Sequence, residues 1–97
     1  MTEPAASLAE VRTAIDDLDR QIIALIAERQ KWVVAAGALK KDEQGVRAPD
    51  RVEQVIRKVR ELAAEAGASP DVVEGAYRAM IAGFIEFELA VHRARAE

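Results

Sequence analysis

The sequence predicts an all-α protein with three helices, the first much longer than the others. Three observations predict it. From Ser7 to about Lys41 the chain has no Pro and a single Gly, Gly37, and its apolar residues recur at alternating spacings of three and four. Two later segments carry stripes of the same period, each with helix start or stop signals at its ends. Nowhere does strand-like alternation, bounded by hairpin turns, continue for long. The composition, rich in Ala, Leu, Ile, Val, Glu and Arg, favours helix.

Met1–Ala6 is short and polar, holds Pro4, and reads as a disordered tail; residues 7–97 read as one helical domain. Ser7 caps the first helix, and Glu10 three residues later completes a capping-box pattern. Leu8, Val11, Ile15, Leu18, Ile22, Leu25, Trp32 and Ala36 then form one stripe. Arg29 and Lys40 fall in the register of that stripe, where an aliphatic residue is expected. A helix of about 34 residues is about 50 Å long, a rod that the remaining chain is too short to cover.

Asp42–Ala48 reads as a loop broken at Gly45 and closed by Pro49. Pro49 suits the first turn of a second helix, which runs to about Ala66 and ends at Gly67. Its stripe is Val52, Val55, Ile56, Val59, Leu62 and Ala63. Ser69, Pro70 and Asp71 form a strong start for a third helix, which runs to about Arg93. The face expected to be buried is Val73, Ala76, Tyr77, Met80, Ile81, Phe84, Ile85 and Leu89, with Glu88 near its middle.

Composition excludes several classes of function. With no Cys and one His, disulfide and thiol chemistry are excluded, and a zinc site is not expected. A net charge of −3 argues against nucleic acid as the main partner. No apolar run reaches membrane-spanning length and no signal core is present, so a cytoplasmic protein is expected. There is no phosphate-binding Gly-rich loop, no nucleophile with a base, and no metal-ligand cluster. No cofactor is expected.

What remains is a set of cations and one acid on an apolar face. Arg29 and Lys40, eleven residues apart, share a helix azimuth at about 16 Å, and could bracket a small ligand or snorkel from the stripe edge. Arg12 lies about 25 Å from Arg29 along the helix. A single compact site uses both only if a second, antiparallel copy supplies one of them; otherwise Arg12 is a surface arginine. Arg51 opens the second helix, where an anion is already favoured. Glu88 either donates a hydrogen bond when protonated or pairs with a cation when ionised. Such a set suits a small dianion, bound or activated by preorganised charge.

The run Leu8–Asp19, then Ile22, Leu25, Glu28-Arg29 and Lys40, resembles the first helix of the all-α chorismate mutases. Pro49-Asp50-Arg51, the Ala66-Gly67 helix end and Val72-Val73-Glu74 fit the same family, so the resemblance spans about residues 7 to 92. It implies an intertwined homodimer of three-helix protomers that rearranges chorismate to prephenate, a step in aromatic amino-acid biosynthesis, without covalent intermediates. By position, Arg12 of the partner chain and Arg29 would hold the two substrate carboxylates, with Arg51 in support. Lys40 and protonated Glu88 would hydrogen-bond the ether oxygen.

Ala48 and Val52 stand where many chorismate mutases carry acids that contact the ring hydroxyl, and Phe84 replaces a small polar residue. The apolar pair within Ala48-Pro49-Asp50-Arg51-Val52 is similar to the related isochorismate pyruvate lyases, which form salicylate and pyruvate. The lyase pattern, however, carries Gln at the position of Glu88. A mutase is the first expectation and a lyase the second. A non-catalytic helical dimerisation or regulatory module is the third.

Overall fold

The structure, a computed structural model, describes residues 7–96; the expected N-terminal tail and Glu97 lie outside the described residues. It is all-helical, with three long helices and one short one: α1 (Leu8–Ala38), α2 (Glu43–Arg47), α3 (Pro49–Ala66) and α4 (Pro70–Ala96). No helix is long and apolar enough to cross a membrane among the described residues. The chain divides into two compact units, Met1–Trp32 and Val33–Glu97.

In the first unit α1 starts as its cap residues dictate. The Glu10 N–H donates to Ser7 Oγ at 3.1 Å, and the Val11 N–H donates to the Ser7 carbonyl. Nothing on α1 is buried. Its stripe lies open, from Ile15 and Leu18, about half exposed, to Leu25 and Trp32, about 70% exposed.

The second unit opens with the last turns of α1. That helix ends at Ala38, sooner than the apolar spacing predicts. Leu39 N–H bonds to Ala36 and Lys40 N–H to Gly37, so i→i+3 bonds tighten the final turn and close the helix. Lys40 therefore sits in the turn beyond the helix, off the continuous helical face expected to join it to Arg29.

The expected loop at 42–48 contains a helix. Asp42 accepts the Gly45 N–H at 2.8 Å and caps α2, so Gly45 lies within a helical turn that it was expected to break. Ala48 serves as the C-cap of α2 and the N-cap of α3, with φ 34° and ψ 62°. This is left-handed backbone on a residue with a Cβ, which costs about 1–3 kcal/mol and lets two helices meet at one residue.

From Pro49 onward the expected helix boundaries and the structure agree closely. α3 spans Pro49–Ala66 and closes on Gly67 at φ 80°, whose N–H reaches back to Ala63 and Ala64. Ser69 Oγ accepts the Val72 N–H and caps α4. α3 packs on α4, and α2 also packs on α4. Ile56, Val59 and Ala63 from α3, Val46 from α2 and Leu89 from α4 form the buried core. Leu62 and Ala76, both expected on buried faces, are exposed.

An ionic lattice fastens α3 to α4 at the polar edge. Arg78 takes Glu53 through two nitrogens at 2.8 and 2.9 Å and Glu74 at 2.7 Å. Arg60 bonds Asp71 and Glu74. Hydrogen bonds from Arg78 hold the Glu53 and Glu74 carboxyls below their usual range.

Candidate active site

Lys40 and Glu88 meet in the second unit. Lys40 Nζ donates to Glu88 Oε2 at 3.2 Å, joining the turn after α1 to the C-terminal half of α4. The Glu88 side chain is 8% exposed and that of Lys40 28%. A carboxylate so far from water is stabilised chiefly by a charged partner. Of the partners open to Glu88, the one that the folded chain supplies is the Lys40 ammonium. Lys40 keeps further N–H donors beyond this contact, because an ammonium carries three.

Two local features set this contact. The i→i+3 turn delivers the Lys40 backbone, and Gly37, one helical turn before it, carries no side chain where the Glu88 carboxyl lies. Beside Glu88 lies a shallow cleft, lined by Val34, Gly37 and Ala38 from α1 and by Phe87, Val91, His92 and Arg95 from α4. Apolar residues supply most of its lining, and His92 and Arg95 are the polar residues that join Glu88 there.

The segment after Lys40 is clasped from α4. Arg93 Nη2 and Nε donate to the two Glu43 oxygens at 2.7 and 3.2 Å. That pairing pulls the Glu43 carboxyl below its ordinary range and raises Arg93. Val46, six residues after Lys40 and 3% exposed, anchors the same segment in the core.

The other expected site residues are distributed as follows. Arg12 and Arg29 belong to the first unit, where Arg12 is exposed and Arg29 half-buried. In the second unit, Arg51 stands in the first turn of α3 and donates to Gln54 Oε1 at 2.7 Å. Ala48 and Val52 are half-buried, and the Val52 N–H donates to the Ala48 carbonyl at 3.1 Å. Phe84, one turn before Glu88 on α4, is also half-buried.

Sequence reasoning passed over Gly37, Phe87, His92 and Arg95 as parts of the cleft. His92 and Arg95 stand four and seven residues after Glu88, a helical spacing that placed them on its face. Gly37 left a fainter mark: it is the lone glycine of a 31-residue helix.

Residues 11–89 match the model of the family described as chorismate mutase type II. The chain belongs to that family. Among curated proteins, it is similar to an isochorismate pyruvate lyase of Pseudomonas aeruginosa, 31% identical over 91 residues that cover 94% of this chain and 90% of the relative. The match to the chorismate mutase type II family starts just before Arg12 and closes just after Glu88, so it takes in all the expected site residues. Membership, with that relative, supports an enzyme of the chorismate mutase and isochorismate pyruvate lyase kind.

Proposed function

We propose that this protein is a chorismate mutase, acting on a small dianionic substrate in a site shared across a homodimer. The observation that carries this reading is the contact between Lys40 and buried Glu88. In the rearrangement the ether C–O bond breaks as a C–C bond forms, and negative charge gathers on the ether oxygen. A fixed ammonium and an adjacent acid aimed at that oxygen stabilise the transition state more than the ground state. Confinement of the substrate in a reactive conformer supplies the remainder. No covalent intermediate and no added cofactor enter this scheme.

In this scheme Arg29 and the partner chain's equivalent of Arg12 hold the two substrate carboxylates, with Arg51 in support. The open stripe on α1 favours association: a helix with nothing buried gains little from its own chain, and a second copy would cover Ile15, Leu18, Ile22 and Leu25. Arg12 and Arg29, about 25 Å apart on one helix, then serve one site only from two chains.

A second reading, isochorismate pyruvate lyase, is favoured by Ala48 and Val52, which offer no acid to a ring hydroxyl, and by the similarity to the Pseudomonas aeruginosa protein. In that reaction the same ether bond breaks, and the products are salicylate and pyruvate. Purified protein incubated separately with chorismate and isochorismate decides between them. Prephenate from chorismate is the expected result. Salicylate with pyruvate from isochorismate supports the second reading, and turnover of neither overturns both.

A further inference from the structure

We infer that Gly37 is a positioning residue for the Lys40–Glu88 pair, because its missing side chain is the space that the Glu88 carboxyl occupies. This rests on the reading of Lys40 and Glu88 as the reacting-site donors, and adds a residue that touches neither substrate nor reacting atoms.

Backbone conformation does not call for glycine at 37. The residue lies inside α1 with ordinary helical backbone, where glycine weakens a helix relative to alanine. The reason lies across the interface. A Cβ on Gly37 would stand 3.0 Å from Glu88 Oε2, 3.5 Å from its Cδ and 3.6 Å from its Cγ. No other glycine in the chain shows this. A Cβ at Gly67, Gly75 or Gly83 meets nothing within 4 Å, and at Gly45 it meets only ordinary contacts from 3.5 Å.

The oxygen that crowds position 37 is the one that accepts from Lys40. Gly37 also holds Lys40 from the other side, through its carbonyl, which accepts the Lys40 N–H at 3.2 Å. One residue thus sets both members of the pair. An added methyl group pushes Oε2 away from α1 by a few tenths of an ångström. Because Oε2 is the atom that Lys40 holds, a shift of that size changes its distance and angle to the ammonium. Catalysis by aimed charge is sensitive to displacements of this size.

The test is a double-mutant cycle of Gly37→Ala with Glu88→Asp, read in kcat, KM and melting temperature. Asp is one methylene shorter, so its carboxyl withdraws from the added methyl group. Gly37→Ala alone is expected to lower kcat at least tenfold, with KM changed less than threefold and the melting temperature unchanged or raised. In the Glu88→Asp background the same change should alter kcat by less than twofold. An equal loss in both backgrounds, or no loss in the first, overturns the inference. A crystal structure of the Gly37→Ala variant separates this from the functional reading. If wild-type protein turns over neither substrate, the functional reading fails, and the positioning role is decided by whether the Lys40–Glu88 contact opens beyond 3.5 Å. An undisplaced carboxyl overturns it.

Discussion

Lys40 Nζ and Glu88 Oε2 stand 3.2 Å apart, although the two residues are separated by 48 positions in sequence. Removing the ammonium leaves the buried Glu88 carboxyl group without this hydrogen-bond partner. Lys40→Ala is expected to lower stability by about 1–3 kcal/mol, since the lysine is partly open to water. Its effect on turnover should be larger, about 10²–10³ in kcat, if the ammonium stabilises the transition state. Chemical denaturation and steady-state kinetics on one preparation measure both; a kcat loss below tenfold removes Lys40 from the reacting centre.

Glu88→Gln tests the acid. A carboxyl group donates a hydrogen bond only when protonated, whereas an amide donates at every pH. Glu88→Gln, which keeps a hydrogen-bond donor at this position, should therefore retain activity, whereas Glu88→Ala should lower kcat by about tenfold or more. Equal losses of kcat in the two variants would show that Glu88 does not act as a hydrogen-bond donor to the reacting oxygen.

The α3–α4 lattice predicts a different pH effect, on stability alone. Arg78 holds the Glu53 and Glu74 carboxyls below their unfolded range near 4.5. A carboxylate with a depressed folded-state pKa contributes its full stability above the unfolded value and loses it as pH falls through the folded one. Arg78→Gln should thus lower the melting temperature at about pH 7 and have little effect near about pH 2.5, where the carboxylates are protonated. The same depression at both pH values would show that Arg78 acts through packing.

The shared site predicts complementation. Arg12→Ala and Lys40→Ala homodimers should each be inactive. After subunit exchange, each heterodimer has one site with both residues intact and one with neither. Half the dimers in an equimolar mixture are heterodimers, so about a quarter of wild-type activity should return. Verified heterodimers without activity would show that Arg12 and Lys40 do not serve one site across chains.

Ala48 and Val52 predict the choice of substrate. Aspartate tolerates left-handed backbone, so Ala48→Asp fits the φ of 34° already present. Combined with Val52→Glu, it supplies acceptors for a ring hydroxyl, and the KM for chorismate should fall by about tenfold, the value of one well-placed polar hydrogen bond. An unchanged KM would show that these positions do not face the ring hydroxyl.

Most helix limits were legible because their signals act locally. Pro49 lacks an N–H at a helix start, where none is needed, and Gly67 accepts positive φ at a helix end. Ser69 caps α4 within three residues of itself. The capping of α2 by Asp42 was just as local, but Gly45 read as a breaker and hid it. The end of α1 was misplaced because the apolar period continues past Ala38, whereas the hydrogen bonds do not.

Residue type and spacing in the chain were enough to establish an all-helical protein, three of its helix starts, and a family whose signature runs from Arg12 to Glu88. They left open which cation Glu88 would meet, and gave Gly37 no role. Those outcomes depend on how α1 and α4 approach each other. Hydrogen bonds within a helix reach about four residues, so periodicity reports each helix separately. The contact of Gly37 and Lys40 with Glu88 joins residues about 50 positions apart, beyond the reach of any helical period, so only the packing of the second unit sets it.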